Sequence, residues 1–198
     1  MKIVGITGGS GSGKSTIAVM LCKKYPEKFA LLQVDDYFKP VEEIPLREGL
    51  KNFECPESIR FDDLYRDILL LKSGSSITIK TKSELYNPHF DREKKNKIEY
   101  TILPKQILIV EGFLALSDQK LFELYDHTFY FDMPIEQSLA RRSSNKFTPD
   151  ATYISRVLLP MHEKYIVPMK TRATTVISCE GKTIEEVYTQ VENVITTL

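Results

Sequence analysis

A surplus of charge of either sign is missing: 27 basic side chains balance 27 acidic ones over 198 residues. Coating DNA or an anionic membrane needs a basic field, so the balance argues against both partners while leaving room for a local basic groove. Cysteine is scarce, with Cys22, Cys55 and Cys179 set at no metal-ligand spacing. Such a scattered set points to free thiols in a reducing compartment, packed as small apolar side chains. No apolar run approaches the roughly 20 residues of a membrane span. The opening Met1-Lys2-Ile3-Val4-Gly5-Ile6 is too short for a signal peptide and runs straight into a glycine loop, so the expected compartment is the cytoplasm. No internal repeat, low-complexity stretch or Pro/Gly/Ser linker divides the chain, and residues 1–198 are expected to form one domain. A guanine-nucleotide switch is disfavoured too. There is no D-x-x-G, and Asn145-Lys146-Phe147-Thr148 lacks the acid of N-K-x-D.

What is present is a hydrophobic fraction of 42%, enough for a buried core. Short apolar runs at Lys2–Thr7, Phe29–Val34, Ile107–Val110, His127–Phe131 and Thr175–Ser178 read as strands, and the continuous run at 107–110 marks a central parallel strand. Helices are predicted from Lys14 to Tyr25, and from near Pro56 with the stripe Ile59, Leu64, Ile68, Leu71 and a C-cap at Gly74. Another is expected after Asp132 and Pro134, one toward Pro168, and a last one behind the capping box Thr183–Glu186, burying Ile184, Val187, Val191 and Val194. Ile77–Lys80 and Ile98–Ile102 alternate with period two and predict a hairpin, an insertion at about 76–103 with its charged tip between Lys82 and Lys97. Strands alternating with helices imply an α/β fold, a parallel sheet covered on both faces.

Gly8-Gly9-Ser10-Gly11-Ser12-Gly13-Lys14-Ser15 fits G-x-x-x-x-G-K-[ST], between a predicted strand and a predicted helix. Its glycines let successive N–H groups aim at a phosphate, and the following helix adds its positive end. Gly9, Ser10, Gly11, Ser12, Gly13, Lys14, Ser15 and Thr16 are therefore the expected ATP-binding residues, with Lys14 on the β- and γ-phosphates and Ser15 on Mg²⁺. Ligands of an open α/β sheet sit beyond the carboxyl ends of its strands, where this sequence puts Asp35-Asp36 and Glu111. Phosphoryl transfer needs a carboxylate to orient and deprotonate the attacking hydroxyl and another acid to order the metal. Asp35 is the candidate base and Glu111 the metal-side acid, with a structural salt bridge as its alternative; Asp36 reads as a loop residue or cap.

With those residues placed, the chain resembles the uridine kinase and nicotinamide riboside kinase group of P-loop kinases. Val34-Asp35-Asp36-Tyr37-Phe38-Lys39-Pro40 looks like the group's acidic motif, whose first Asp is the catalytic base. Asn52-Phe53-Glu54-Cys55-Pro56-Glu57-Ser58 is similar to the stretch in which an acid holds the ribose hydroxyls and an aromatic lines the pocket; Glu54 stands where the group has Asp. Glu111-Gly112-Phe113-Leu114 matches the acid-glycine motif, Ala140-Arg141-Arg142-Ser143 the start of an arginine-bearing lid at about 141–156, and Pro160–Tyr165 the helix returning from it. The resemblance implies a P-loop NTPase sheet of five parallel strands, order 2-3-1-4-5. It implies a kinase using ATP and Mg²⁺ on a small nucleoside, with Tyr37, Phe53, Glu54, Tyr86 and His89 in the substrate pocket. His89 reads equally as a solvated loop histidine.

Arg141 and Arg142 suit a lid physically, since a guanidinium can stabilise charge spread over a transferring phosphoryl group, but either could simply complement a helix dipole. Uridine or cytidine is the first expectation for the acceptor and nicotinamide riboside the second. The short lid with Thr148-Pro149-Asp150 and Tyr153 leans toward the latter. The different-class alternative is a regulatory protein that binds ATP without phosphorylating anything. A kinase of pantothenate or a sugar phosphate is a third reading, against which the Phe53-Glu54 pair suits a neutral diol better.

Overall fold

The computed structural model describes residues 1–91, 96–144 and 150–198, with residues 142–144 described by backbone alone. The chain opens with strand β1 (Lys2–Gly8), helix α1 (Lys14–Lys24) and strand β2 (Phe29–Gln33). A small antiparallel pair follows, β3 (Leu46–Arg47) and β4 (Leu50–Lys51). Helix α2 (Phe61–Lys72) leads to β5 (Ile77–Thr81) and β6 (Ile98–Ile102), which pair antiparallel as the expected hairpin. Then come β7 (Ile107–Glu111), the short α3 (Gln119–Phe122), β8 (His127–Asp132) and α4 (Ile135–Ser144). The helical stretch from Ala151 to Arg172 contains α5 (Ala151–Tyr153), a π-helical run Ile154–Leu158, α6 (Leu159–Met161), a second π-helical run His162–Ile166, and a 3-10 ending. Strand β9 (Thr175–Ser178) and helix α7 (Ile184–Ile195) complete it.

The main sheet has five parallel strands in the order β2-β7-β1-β8-β9. Numbered within that sheet, this is 2-3-1-4-5. Its core is divided by strand pleating. Ile3, Leu32, Leu108 and Val110 face one apolar layer with Leu64 and Ile68 of α2. Val4, Ile6, Leu31, Ile107 and Ile109 face the other with Ile17 and Leu21 of α1 and Val187 and Val191 of α7. Period-two alternation inside apolar runs is what allows helices to cover both faces.

Two helix readings need correction. Near Pro56 there is only a 3-10 turn, Pro56–Ser58, and Ile59 is extended, bridging Phe38 before α2 begins at Phe61. Ile59 still joins the core with Leu64, Ile68 and Leu71, which is why it fitted the stripe. In α7 the capping box is present, but the buried face is Val187, Tyr188, Val191 and Ile195. Ile184 and Val194 are half-buried at the edge of the same layer, and Ile184 also points its Cδ1 toward Gly13 of the glycine loop. The end of α2 is as expected: Gly74 has φ 91, with Gly74 N–H bonded to Leu71 O and Ser75 N–H to Leu70 O. That is a Schellman ending.

All three cysteines are free and buried. Burial pushes the thiols up to about 12 at Cys22 and about 11 at Cys55 and Cys179, so they are inert packing residues. Among the described residues no helix is long and apolar enough to cross a membrane.

Candidate active site

The glycine loop joins β1 to α1 at the carboxyl edge of the sheet. Gly11 (φ 88) and Gly13 (φ 93) occupy backbone regions that side chains rarely adopt. A Cβ on Gly11 would lie 2.7 Å from the carbonyl oxygen of Ser138, so α4 seals the back of the loop. Gly13 caps α1 with no side-chain hydrogen bond and no acid follows in the first turn, leaving that helix's N–H groups available to an anion.

Lys14 is 5% exposed, and its ammonium donates to Gly9 O at 2.8 Å and Ser12 Oγ at 3.4 Å. Ser15 Oγ donates to Glu111 Oε1 at 3.1 Å, and Gln33 Nε2 to Glu111 Oε2 at 3.1 Å. Gln33 and Glu111 are register partners at the ends of β2 and β7. Thr16 is exposed on the first turn of α1. Burial pushes the Glu111 carboxyl above its ordinary range; the charge of Lys14 pulls it down and that of Asp35 pushes it further up. The charges of Lys14 and Asp35 and the hydroxyl of Ser15 thus all act on Glu111. Ser15 and Glu111 also supply hard oxygen donors. No group of three or more His, Cys, Asp or Glu that could hold a metal occurs among the described residues. This pair fits Mg²⁺, which takes one or two protein oxygens and fills the rest of its shell with phosphate and water.

A stability prediction follows from Glu111. A carboxyl whose folded-state pKa is raised contributes stability that is present below its unfolded value and lost as pH rises through the folded one. At neutral pH the buried carboxylate therefore costs folding free energy. Glu111→Gln should raise the Tm of the nucleotide-free protein by roughly 2–4 °C, the shift about 1 kcal/mol gives a chain this long. The gain should fade toward acid pH, and transfer activity should be lost. Melting both proteins from acid to neutral pH checks it; a lower neutral Tm for the variant would mean that the bonds to Ser15 and Gln33 outweigh burial.

Asp35 and Asp36 open a 3-10 turn directly after β2. Asp35 is half-buried, with the Lys82 ammonium 3.2 Å from its Oδ2. Asp36 is buried and accepts from Thr81 Oγ1 at 2.5 Å and Lys82 N at 3.0 Å, so it ties the hairpin to the sheet, in keeping with its reading as a loop residue. Burial raises its pKa against those bonds.

Opposite the glycine loop, Phe38 packs edge-on against Phe53 (5.7 Å) and stacks on Phe113 (6.3 Å). Glu54 shares a narrow cleft with Ser10, Phe113, Leu158 and His162, and its Oε1 accepts from Tyr153 OH at 3.4 Å. Glu54 therefore lines the cleft beside the glycine loop rather than standing out on a solvent face.

Three substrate-pocket expectations find other surroundings. Tyr37 is buried and donates to Asp67 Oδ2 at 2.9 Å, a core contact. Tyr86 stacks on Tyr100, and its hydroxyl pairs with Leu31 N and O along the outer edge of β2. Tyr86 thus fastens the hairpin to β2. His89 is exposed, with its carbonyl accepting from Asn96 Nδ2. Arg141 is exposed on α4, and its charge acts with those of Lys182 and Lys14 on Cys179. The side chain of Arg142 and lid residues 145–149 lie outside the described residues. Arg156, at the end of the stretch expected as the lid, has its Nε 3.8 Å from Glu48 Oε2.

His162 was not foreseen. It lines the cleft, and a Cβ on Gly9 would meet its Cε1 at 3.3 Å. Burial lowers its pKa, Glu163 opposes that and Lys14 adds to it, so it faces the site as a neutral imidazole at neutral pH. Its contact spans the whole chain, and no local pattern announces it.

A glycine loop with its lysine and serine, a buried strand-end acid and an aspartate at the neighbouring strand define a class: the P-loop kinases, phosphotransferases of the nucleoside kinase type. The chain belongs to the phosphoribulokinase/uridine kinase family, whose family model matches residues 3–185. It is 33% identical to a uridine kinase of Clostridium botulinum (strain Okra / Type B1), covering 97% of this chain and 95% of that one. With a uridine kinase of Streptococcus gordonii it shares 29% identity over 98% of this chain and 95% of the relative. Among solved structures, one described as a possible uridine kinase from Bacillus stearothermophilus superposes with a TM-score of 0.63 over 89% of this chain and 88% of its own, at 18% identity.

Proposed function

We propose that the protein transfers the γ-phosphate of ATP to the 5′-hydroxyl of a ribonucleoside, with uridine or cytidine as the acceptor. The observation that carries this reading is the joining of Lys14, Ser15, Glu111 and Asp35 into one charged unit beside a cleft that holds Glu54. On binding ATP, the Lys14 ammonium exchanges Gly9 O and Ser12 Oγ for phosphate oxygens, and the open N–H groups of α1 take the rest of the charge. Ser15 and Glu111 hold Mg²⁺, which when bound neutralises charge on the β- and γ-phosphates. Phe53 and Glu54 seat the ribose. Asp35 accepts the proton of the 5′-hydroxyl as the oxygen–phosphorus bond forms and ADP leaves. Arg141, on the helix that backs the loop, closes over the transferring group and excludes water. The protein is expected to work in the cytoplasm as a salvage enzyme on a free nucleoside.

A panel of uridine, cytidine and nicotinamide riboside with ATP and Mg²⁺, read by coupled ADP release, tests this. ADP release at the same rate without any nucleoside would replace kinase with ATPase or simple nucleotide binder. Fastest turnover of nicotinamide riboside would move the base preference and keep the mechanism.

Glu54 carries the ribose assignment. A carboxylate accepting from both the 2′- and 3′-hydroxyls is left with a buried unpaired oxygen when one is missing, at a cost of about 1–3 kcal/mol. Ribonucleosides should therefore be preferred over 2′-deoxy analogues roughly 5- to 150-fold in kcat/KM. Glu54→Gln should flatten that ratio while leaving Tm nearly unchanged. An undiminished ratio in the variant would sink the assignment.

A further inference from the structure

Outside the groups used so far, one side chain reaches the proposed base from an element the chemistry has not yet needed. Lys82 follows directly on β5, at the start of the hairpin tip, and its Nζ lies 3.2 Å from Asp35 Oδ2. The hairpin that carries it is fixed independently at three places. Asp36 takes both Thr81 Oγ1 and the Lys82 N–H. The Tyr86 hydroxyl pairs with both backbone groups of Leu31 on β2. Ile77 and Ile102 are buried in the core layer beside α2. The adjacent acids thus have opposite tasks: Asp36 holds the backbone of residue 82, and Asp35 receives its side chain.

We propose that Lys82 is a positioning residue for Asp35, holding Oδ2 so that Oδ1 faces the acceptor hydroxyl; this rests on the reading of Asp35 as the base. A partly exposed ion pair, at 32% and 42% side-chain exposure, adds little to stability, because solvent screens it and two side chains lose freedom. Its value is geometric. Asp35 stands on a turn with its side chain partly in water, and a general base must be held within a fraction of an ångström of the proton it takes. Glu111 is not left to compete for the same cation, since Lys14 serves it. Lys97 stands further off, its Nζ 4.0 Å from Asp36 Oδ1, and does not duplicate the contact.

The test uses the nucleoside that turns over fastest in the panel above. Lys82→Met should lower kcat roughly 10- to 100-fold, the scale of a misplaced reacting group, with KM for ATP within about two-fold and Tm nearly unchanged. Lys82→Arg, which restores a cation of similar reach, should recover most of the loss. In an Asp35→Asn background Lys82→Met should add no further loss, because the two act as a unit. A kcat for Lys82→Met within about two-fold of wild type would overturn the inference. So would an undiminished extra loss in the Asp35→Asn background, which would leave the base itself standing. Wild-type turnover by Asp35→Asn alone would remove the base assignment and the lysine's role with it.

Discussion

Asp35→Asn should leave ATP affinity almost intact and lower kcat by roughly 10²–10⁴, the usual worth of a positioned general base. Asparagine keeps the shape of the side chain and loses the proton acceptor. Single-turnover transfer with ATP and nucleoside measures the loss, and nucleotide titration of the same variant measures what is retained. The neighbouring acid makes the contrast. Asp36 is buried and occupied by Thr81 and the Lys82 N–H, so Asp36→Asn should loosen the hairpin and lower Tm with a smaller effect on the chemical step. If Asp35→Asn turned over near wild-type speed, Asp36 could not easily take its place, since its oxygens are already bonded within the fold. The base would have to be sought elsewhere, and neutral His162, in the same cleft as Glu54, would be the next residue to replace.

The glycine-loop side of this cleft was legible in the sequence because that side is local. The glycine loop requires its residue types within eight consecutive positions, and apolar runs ending in Asp35 and Glu111 mark strand ends without any knowledge of the strand order. The opposite side of the cleft was less legible. Tyr37 lies two residues after Asp35, but on the 3-10 turn it faces inward to Asp67. Tyr86 lies on a hairpin whose attachment to β2 depends on a hydroxyl meeting the backbone of Leu31, 55 residues away. His162 reaches Gly9 only because the helical stretch after residue 150 folds back across the sheet edge. Gln33 was within reach, since β2 and β7 end in register and their last residues had to meet. The short α3 and the β3–β4 pair escaped because two to four residues carry no periodicity.

Lys14→Met should weaken ATP binding and lower kcat/KM by about 10³ or more. Its ammonium meets the phosphates in both the ground state and the transition state, so affinity and rate fall together. Methionine keeps the length and apolar stem of a side chain that is only 5% exposed, so packing loss does not confuse the result. Arginine should not rescue the function. Its planar fork is larger than an ammonium fitted between Gly9 O and Ser12 Oγ, and the loop is backed by Ser138 with no room to retreat. A ligand that binds the folded state at about 100 times its Kd stabilises it by about 2.7 kcal/mol, so wild type should melt several degrees higher with saturating ATP. Lys14→Met should lose most of that shift at the same ATP concentration. The variant also deprives Glu111 of the charge that does most to lower its pKa, so that carboxyl should take up a proton more readily and hold a divalent ion less well. An ATP-dependent melting shift and a transfer rate both equal to wild type would show that the phosphates do not sit over this loop.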